Sequence, residues 1–456
     1  MQHRPDFRNR IISPPVVSAI NNSAVAGEEM IPVIVSPVES RERPERGVQD
    51  SKEKIIALLK DYKPRESQFF VFAKLPKGKI EEISNRTDLV DHIWSDQKCY
   101  AHLLDSVDTV KASACWRTFG ALGDGITWAI LDTGINAGHP HFSTNQNINA
   151  TLSRDYSDEN AVPGTETVGS SLQDTNGHGT HVAGIVAGIA APGQSYKAAA
   201  AVEGHDELEV RDLNGCPSGL APKAKLISAR VLNDSGEGSA SSAICALEYL
   251  RKLNENSREI KVDGANLSLG YPFDPKWYGC GHSPLCEEVN RAVMSGIVVV
   301  ISCGNAGSGN ATLDTGAVVP VSIGLSIADP ANAEEAIAVG SVHKTKPHTY
   351  GTSYFSSKGP TADGRQKPDL LAPGEKVVSC SSDLQHGYQY REDSGTSMAA
   401  PHVSGAIAAF LSVRKEFRGS PRRVKEIFKR SATDLGRDAS FQGAGMVDLF
   451  RALGSV

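Results

Sequence analysis

The chain has 456 residues, of which 40% are hydrophobic and 22% charged, and its formal net charge is -6 with a pI near 6.1. These values are ordinary for a globular protein with a sizeable core, and they give no reason to expect nucleic acid or an anionic membrane as a partner. The longest apolar runs, such as residues 297–301, are strand-sized and too short to cross a bilayer. The apolar patch at 16–20 is too short for a signal-peptide core, so we expect a cytoplasmic location, with secretion by another route left open.

The N-terminal quarter of the chain divides into two predicted parts. Residues 1–28 mix Pro, Asn, Ser and Arg without periodicity, which predicts a flexible leader. From residue 29 to residue 103, strand-like and helix-like apolar patterns alternate roughly as β-α-β-α-β, which indicates a small α+β unit. The rest of the chain, residues 104–456, is expected to form one larger domain.

Two stretches in the first half of that domain place an acid and an imidazole at the ends of regular elements. The apolar run Thr127–Leu131 is followed by Asp132-Thr133-Gly134, which predicts a carboxylate at the carboxyl end of a buried strand. The stretch Asn176-Gly177-His178-Gly179-Thr180 then opens a helix of small residues with a histidine in its first turn.

The segment from 191 to 219 is unusual because it contains an acidic run at 203–212. Carboxylate oxygens are the ligands that calcium selects, but the spacing of an EF-hand is absent. We therefore expect a solvated charged loop here.

Strands and helices alternate through the remainder of the domain. Strand patterns at 226–232, 263–269 and 297–302 are separated by helix patterns at 239–250 and 285–294. Such alternation predicts an α/β fold, a doubly wound and mostly parallel sheet covered on both faces, with function at the carboxyl ends of the strands.

The stretch Ser394–Val403 carries a candidate nucleophile. Small residues around Ser397 allow the backbone to enter a helix with this hydroxyl at the helix N-terminus, where free N–H groups face a bound oxyanion. The alternative is that Ser397 only caps the helix. A serine nucleophile needs a neighbouring base held by a carboxylate, and His178 and Asp132 supply both groups.

In the order Asp, His, Ser, these three stretches resemble the subtilisin-like (S8) serine peptidases. The resemblance implies a serine endopeptidase that hydrolyses peptide bonds through an acyl-enzyme on Ser397, with His178 as general base and then general acid, and with Asp132 orienting it. It also implies that Asn305 and the Ser397 backbone N–H stabilise the oxyanion. The alternatives are a catalytically silent protein that binds peptides on the same scaffold, and an esterase.

The resemblance further implies where an extended peptide substrate would bind. The backbone edges and pocket that it assigns to the substrate comprise Gly236, Glu237, Gly238, Ser268, Leu269, Gly270, Ser302 and Gly304. Glycines suit this role because another backbone can approach them closely. Tyr271-Pro272 follows Gly270 where many relatives have another glycine, so the pocket is expected to be narrowed or closed at one end.

The resemblance also bears on the small domain and on metal binding. Residues 29–103 look like a prodomain that acts as an intramolecular inhibitor, with its tail 97–102 in the cleft and self-cleavage near Tyr100; the alternative is a permanently attached module.

No cofactor is expected to be required, and calcium stays possible, because the insertion at 191–219 obscures the loop that binds it in many relatives. Cys280 and Cys286 flank His282, but three ligands in one loop make a poor zinc site, so a loop disulfide or two free thiols is expected.

Overall fold

The computed structural model describes residues 11–13, 16, 17, 20, 30–38, 44–96, 105–158, 164–201, 208–213, 215–274, 276, 279–314 and 316–456. The chain forms two compact units, Met1–Tyr100 and Ala101–Val456. The predicted tail at 97–102, with the cleavage site near Tyr100, lies outside the described residues.

The first unit is a small α+β structure. Its elements are β1 (Ile31–Pro37), α1 (Pro44–Leu58), β2 (Arg65–Glu66), β3 (Val71–Leu75), α2 (Lys77–Ser84) and β4 (Val90–Ser95). The four strands form an antiparallel sheet in the order β2, β3, β1, β4. Alternate residues of β1 are buried, as the period of a strand requires, and they pack in one core with Ile55 of α1 and Ile80 of α2.

Part of the predicted leader belongs to this core. Ile12, Val16 and Ile20 are buried in the first unit, and Ile12 forms a parallel bridge with Ile93 of β4. The expectation of a flexible leader is wrong at these positions, because apolar side chains spaced four residues apart can share one buried face without a continuous hydrophobic run.

The second unit contains the larger sheet and most of the helices. Its strands are β5 (Thr127–Asp132), β6 (Arg154–Asp155), β7 (Tyr196–Ala201), β8 (Leu208–Leu213), β9 (Lys225–Arg230), β10 (Gly264–Leu267), β11 (Val298–Ser302), β12 (Ser308–Thr312), β13 (Val318–Ser322), β14 (Ile337–His343), β15 (Leu370–Glu375), β16 (Val377–Cys380) and β17 (Tyr390–Asp393). Its helices are α3 (Asp105–Thr109), α4 (Ala112–Phe119), α5 (Pro140–Ser143), α6 (His178–Val186), α7 (Ala240–Glu255), α8 (Pro284–Met294), α9 (Pro347–Tyr350), α10 (Thr396–Val413), α11 (Pro421–Ser431), α12 (Ala439–Gln442) and α13 (Leu449–Gly454).

The central sheet has seven strands in the order β15, β14, β11, β10, β5, β9, β6, and all its neighbours are parallel. Side chains of β5 alternate between two cores: Trp128 and Ile130 face α6 and α10, whereas Ala129 and Leu131 face α7 and α8. The predicted doubly wound α/β fold, with helices on both faces of a mostly parallel sheet, is confirmed.

Helix α10 is the apolar centre of this unit. It is the one helix among the described residues that is long and apolar enough to cross a membrane, but 83% of that stretch is buried inside the protein. Its position against β10, β11, β14 and β15 accounts for its composition, because a core helix is apolar on every side.

In the segment at 191–219, of which 202–207 and 214 lie outside the described residues, strands stand where a loop was predicted, although the charged residues of β8 are exposed as expected. Strands β7 and β8 form an antiparallel hairpin, and β7 adds in parallel to β17, which pairs with β16. The side chain of Tyr196 is buried against Tyr390, and Ala198 and Leu213 are also buried. Small and aromatic side chains thus pack inward, while the charged residues of β8 stay exposed. The acidic composition of the segment gives no indication of this packing.

Candidate active site

The predicted site residues converge at the carboxyl edge of the central sheet. Asp132 is the last residue of β5, Ser268 directly follows β10, and Ser302 ends β11. These three strands are adjacent and in parallel register, with Leu131 opposite Leu267 and Leu267 opposite Ile301. Adjacent strands lie about 4.8 Å apart, so the loops that leave them share one small region.

Asp132 is fully buried and makes the central contact of the site. One carboxylate oxygen, Oδ1, accepts a hydrogen bond from the backbone N–H of Thr133 at 2.8 Å and is 2.7 Å from Nδ1 of His178. Helix α6 approaches this strand end very closely, since a Cβ on Gly179 would lie only 2.1 Å from the carbonyl oxygen of Gly134. Glycine is therefore required at 179.

His178 begins helix α6, and its side chain is 25% exposed. A carboxylate can only accept, so the contact with Asp132 places the ring proton on Nδ1 and leaves Nε2 as the basic atom. Burial alone would lower the pKa of His178, but the charge and hydrogen bond of Asp132 outweigh it and raise that pKa above 6.5. The ring is thus oriented, and its affinity for a proton is increased.

Asp174 is a further site residue that the sequence analysis missed. Its Oδ1 accepts from the Thr133 hydroxyl at 2.9 Å and from the Gly177 N–H at 2.8 Å. Its Oδ2 accepts from the N–H and the hydroxyl of Thr180 at 2.8 and 2.6 Å. The buried carboxylate therefore fastens the first turn of α6 to the loop after β5. An Asp four residues before the helix start was the available signal.

Ser397 lies in the first turn of α10, over the end of β10. Its carbonyl oxygen accepts from the Ser268 hydroxyl at 2.8 Å, and its own hydroxyl donates to the Ser268 carbonyl at 3.2 Å. In the described hydrogen bonds the Ser397 hydroxyl thus contacts Ser268, whereas the His178 ring contacts Asp132. The structure joins the acid to the imidazole directly and holds the alcohol on the neighbouring strand end.

Asn305 is held in one orientation by the start of α10. Its Oδ1 accepts from both the N–H and the hydroxyl of Thr396, each at 2.9 Å. Because both contacts are donors, they identify the oxygen of this amide and leave Nδ2 as a donor. A Cβ placed on Gly395 would lie 3.5 Å from that Nδ2 and 3.7 Å from the backbone N of Ser397, so the two nitrogens border the same small space.

Two cavities flank these groups and contain every residue that the sequence assigned to substrate. A cavity of about 430 Å³ is lined by His178, by 236–238 and by 268–270. A second cavity, of about 500 Å³, is lined by 268–273, Ser302, Gly304, 325–328 and Ser397. Tyr271 lines both cavities, and two backbone hydrogen bonds with Asp329 fix its position. The second cavity nevertheless has a volume of about 500 Å³, so Tyr271 does not fill it.

The loop that contains Cys280 and Cys286 has no disulfide, so of the two expected states it adopts the one with free thiols. Cys280 and Cys286 are both buried free thiols, and burial raises the pKa of Cys286 to about 12. Among the residues that the structure describes, no group of three or more His, Cys, Asp or Glu side chains is arranged to hold a metal ion.

Known proteins resemble this chain over most of its length. A model of the subtilase family matches residues 123–447. Serine protease AprX of Bacillus subtilis (strain 168) is 31% identical over 399 residues, which cover 82% of this chain and 77% of that protein. The major intracellular serine protease of the same organism is 32% identical over 72% of this chain and 81% of its own length, and subtilisin Savinase of Lederbergia lenta is 32% identical over 75% and 95%.

Proposed function

This chain belongs to the subtilase family and is a serine endopeptidase, and from that premise we propose that it cuts proteins through an acyl-enzyme on Ser397. The observation that carries the proposal is the 2.7 Å contact between Asp132 and Nδ1 of His178, at the sheet edge where Ser397 is held. This contact leaves Nε2 of His178 free to take a proton from an alcohol.

In the proposed first step, the Ser397 hydroxyl turns from the Ser268 carbonyl toward His178. His178 removes the proton as Ser397 Oγ attacks the carbonyl carbon of the scissile peptide bond, and then gives that proton to the leaving amine. Water attacks the resulting ester with the same histidine as base. Such contacts are often loose before substrate binds, so the resting bond to Ser268 is compatible with this role.

The oxyanion of the tetrahedral intermediate is proposed to bind between Asn305 Nδ2 and the backbone N–H of Ser397. Thr396 supports this role because its two hydrogen bonds hold the amide oxygen away from the cleft. Donors fixed before the reaction need no reorganisation when the charge develops. We expect Asn305→Ala to lower kcat by about 10²- to 10³-fold, a range carried over from a subtilisin donor rather than worked from these distances.

The substrate is proposed to lie extended between residues 236–238 and 268–270, with one side chain in the 500 Å³ cavity. We also propose that the first unit acts as an intramolecular inhibitor, as its position ahead of the peptidase domain favours, and that the protein works in the cytoplasm. The similarity to a relative named as an intracellular serine protease supports that location.

A covalent probe separates this proposal from a silent peptide-binding protein. We expect a fluorophosphonate to add once to the wild type, with the adduct on the peptide that contains Ser397, and not to the Ser397→Ala variant. Cleavage of an unfolded protein should be lost in that variant and in His178→Ala. A wild type that neither reacts nor cleaves, both with the first unit attached and after its proteolytic removal, would establish the silent alternative, and faster turnover of simple esters than of proteins would favour an esterase.

A further inference from the structure

An apolar hairpin projects beside the second cavity. Strands β12 and β13 pair antiparallel from Ser308 opposite Ser322 to Thr312 opposite Val318. None of the ten residues in these two strands is buried. A two-stranded hairpin is only marginally stable in water when its side chains have nothing to pack against.

The composition of this hairpin is unusual for an exposed structure. Between 306 and 328 the single charged residue is Asp314. The large apolar side chains exposed on the hairpin and its return are Leu313 (48%), Val318 (63%), Val321 (37%), Ile323 (40%) and Leu325 (62%). Where such exposed apolar side chains share one face, that face marks a binding site more often than it marks ordinary solvent-facing structure.

The strand register gathers part of this surface on one face. Gly309 lies opposite Val321, and Ala311 lies opposite Val319, so these four residues share a face. Ile323 extends it, because a Cβ on Gly309 would lie 2.7 Å from Cδ1 of Ile323. The result is an apolar face with no charged side chain.

A buried lysine holds the base of the hairpin in place. Nζ of Lys358 donates to the Gly307 carbonyl at 2.6 Å and to the Ser322 hydroxyl at 2.8 Å, which ties the start of β12 to the end of β13. The N–H of Ile323 also donates to Gly307 at 2.9 Å. The hairpin is therefore anchored where it joins the site, although its strands are exposed.

The apolar surface is continuous with the cavity that we assign to substrate. The chain enters the hairpin three residues after Asn305 and returns through Leu325 and Ile327, which both line that cavity. A polypeptide with one side chain in the cavity has its neighbouring segments next to the hairpin. This continuity identifies the occupant as the substrate and not an unrelated partner.

We propose that β12 and β13 form a secondary binding surface for apolar segments of the substrate polypeptide, so that unfolded proteins are cleaved in preference to short peptides. The inference rests on the proposed function. An unfolded chain exposes the apolar side chains that a folded soluble protein buries, and an uncharged apolar face selects for that difference. A short peptide reaches the cavity but not the hairpin.

The test compares two substrates in three proteins. The hairpin variant Val319→Thr/Val321→Thr/Ile323→Gln places polar side chains on the apolar face and changes no residue that lines either cavity. A matched control, Leu208→Gln/Val210→Thr, changes two side chains of β8 that are 52% and 46% exposed. We expect kcat/KM for a reduced, carboxymethylated protein to fall about tenfold in the hairpin variant alone. For a tetrapeptide anilide it should stay within about twofold in all three proteins.

Other outcomes would overturn the inference about the hairpin and leave the proposed peptidase function unaffected. Equal loss on both substrates, or no loss on either, would remove the hairpin from substrate binding. Light scattering that shows a wild-type dimer and a monomeric hairpin variant, with unchanged cleavage of the unfolded protein, would assign the surface to a second copy of the chain. If the wild type cleaves neither substrate, the proposed function fails instead.

Discussion

Acid should destabilise this protein well before its carboxylates titrate, because burial lowers the pKa values of His139, His141, His181 and His402 in the folded chain. Three of these rings, His141, His181 and His402, are at most 2% exposed, and among the described residues one ring nitrogen of each has no hydrogen-bond partner. Burial lowers the pKa of His141 to about 3, and burial likewise lowers the pKa values of His181 and His402 to about 4. Each ring therefore stays neutral in the folded chain at about pH 5.5.

The sign and size of the effect follow from proton uptake. In the unfolded chain a histidine has a pKa near 6.5, so it binds a proton as the pH falls from about 7.5 to about 5.5, whereas the folded chain does not. Each ring then lowers the free energy of unfolding by about 1.4 kcal/mol at pH 5.5, and three rings lower it by about 4 kcal/mol. That is a large part of the 5 to 15 kcal/mol typical of a folded domain. His178, whose pKa is raised in the folded state, acts in the opposite sense and offsets part of the loss.

Urea unfolding of the Ser397→Ala variant at about pH 7.5 and at about pH 5.5 measures the loss of unfolding free energy, because this variant is expected not to digest itself. His402→Gln should reduce the pH-dependent loss by about 1.4 kcal/mol, because one titrating ring is removed. His282→Gln is the control, since that side chain is 68% exposed and should leave the loss unchanged. An unfolding free energy that differs by less than about 1 kcal/mol between the two pH values would refute the reasoning.

Three further outcomes are expected. Asp174→Asn removes the acceptor for two hydrogen bonds from Thr180, so kcat on a short peptide should fall about tenfold, and an unchanged kcat would contradict a positioning role. The kcat/KM of the wild type should rise with pH and level off above an inflection higher than about 6.5, because neutral His178 is the active form; a flat profile would exclude it as the base. Since the hairpin at 196–213 is held by strand pairing and aromatic packing, EDTA should shift the melting temperature by less than about 2 °C, and a larger decrease would indicate a bound metal.

The sequence predicts the central sheet, and the strand ends beside which Asp132 and Asn305 lie, for a physical reason. A buried parallel strand has a near-continuous apolar run, so its end is easily located; Asp132 is the last residue of one such strand, and Asn305 comes three residues after the end of another. The contribution of Asp174 could not be read in the same way, because its partners include Thr133, 41 residues away along the chain. That contact exists only when β5 and α6 are packed together.

The β7–β8 pair and the N-terminal residues Ile12 and Val16 are two places where the sequence alone does not predict the structure. Strands β7 and β8 contain alanines and charges that have little strand preference of their own, and pairing with β17 decides their conformation. The sequence likewise predicts a leader at Ile12 and Val16, because the burial of isolated apolar residues depends on partners elsewhere in the first unit. In both cases tertiary contacts outweigh local composition.

The chain order of the central sheet affects when activity can first arise during synthesis on the ribosome. Asp132 ends the strand at the middle of the sheet, but Ser397 arrives with α10, which packs across β10, β11, β14 and β15. A nascent chain that has emerged only as far as β15 has its acid and its imidazole but no alcohol. With Ser397 as the proposed nucleophile, the newly made polypeptide cannot cut itself or its neighbours until nearly the whole catalytic unit has been translated.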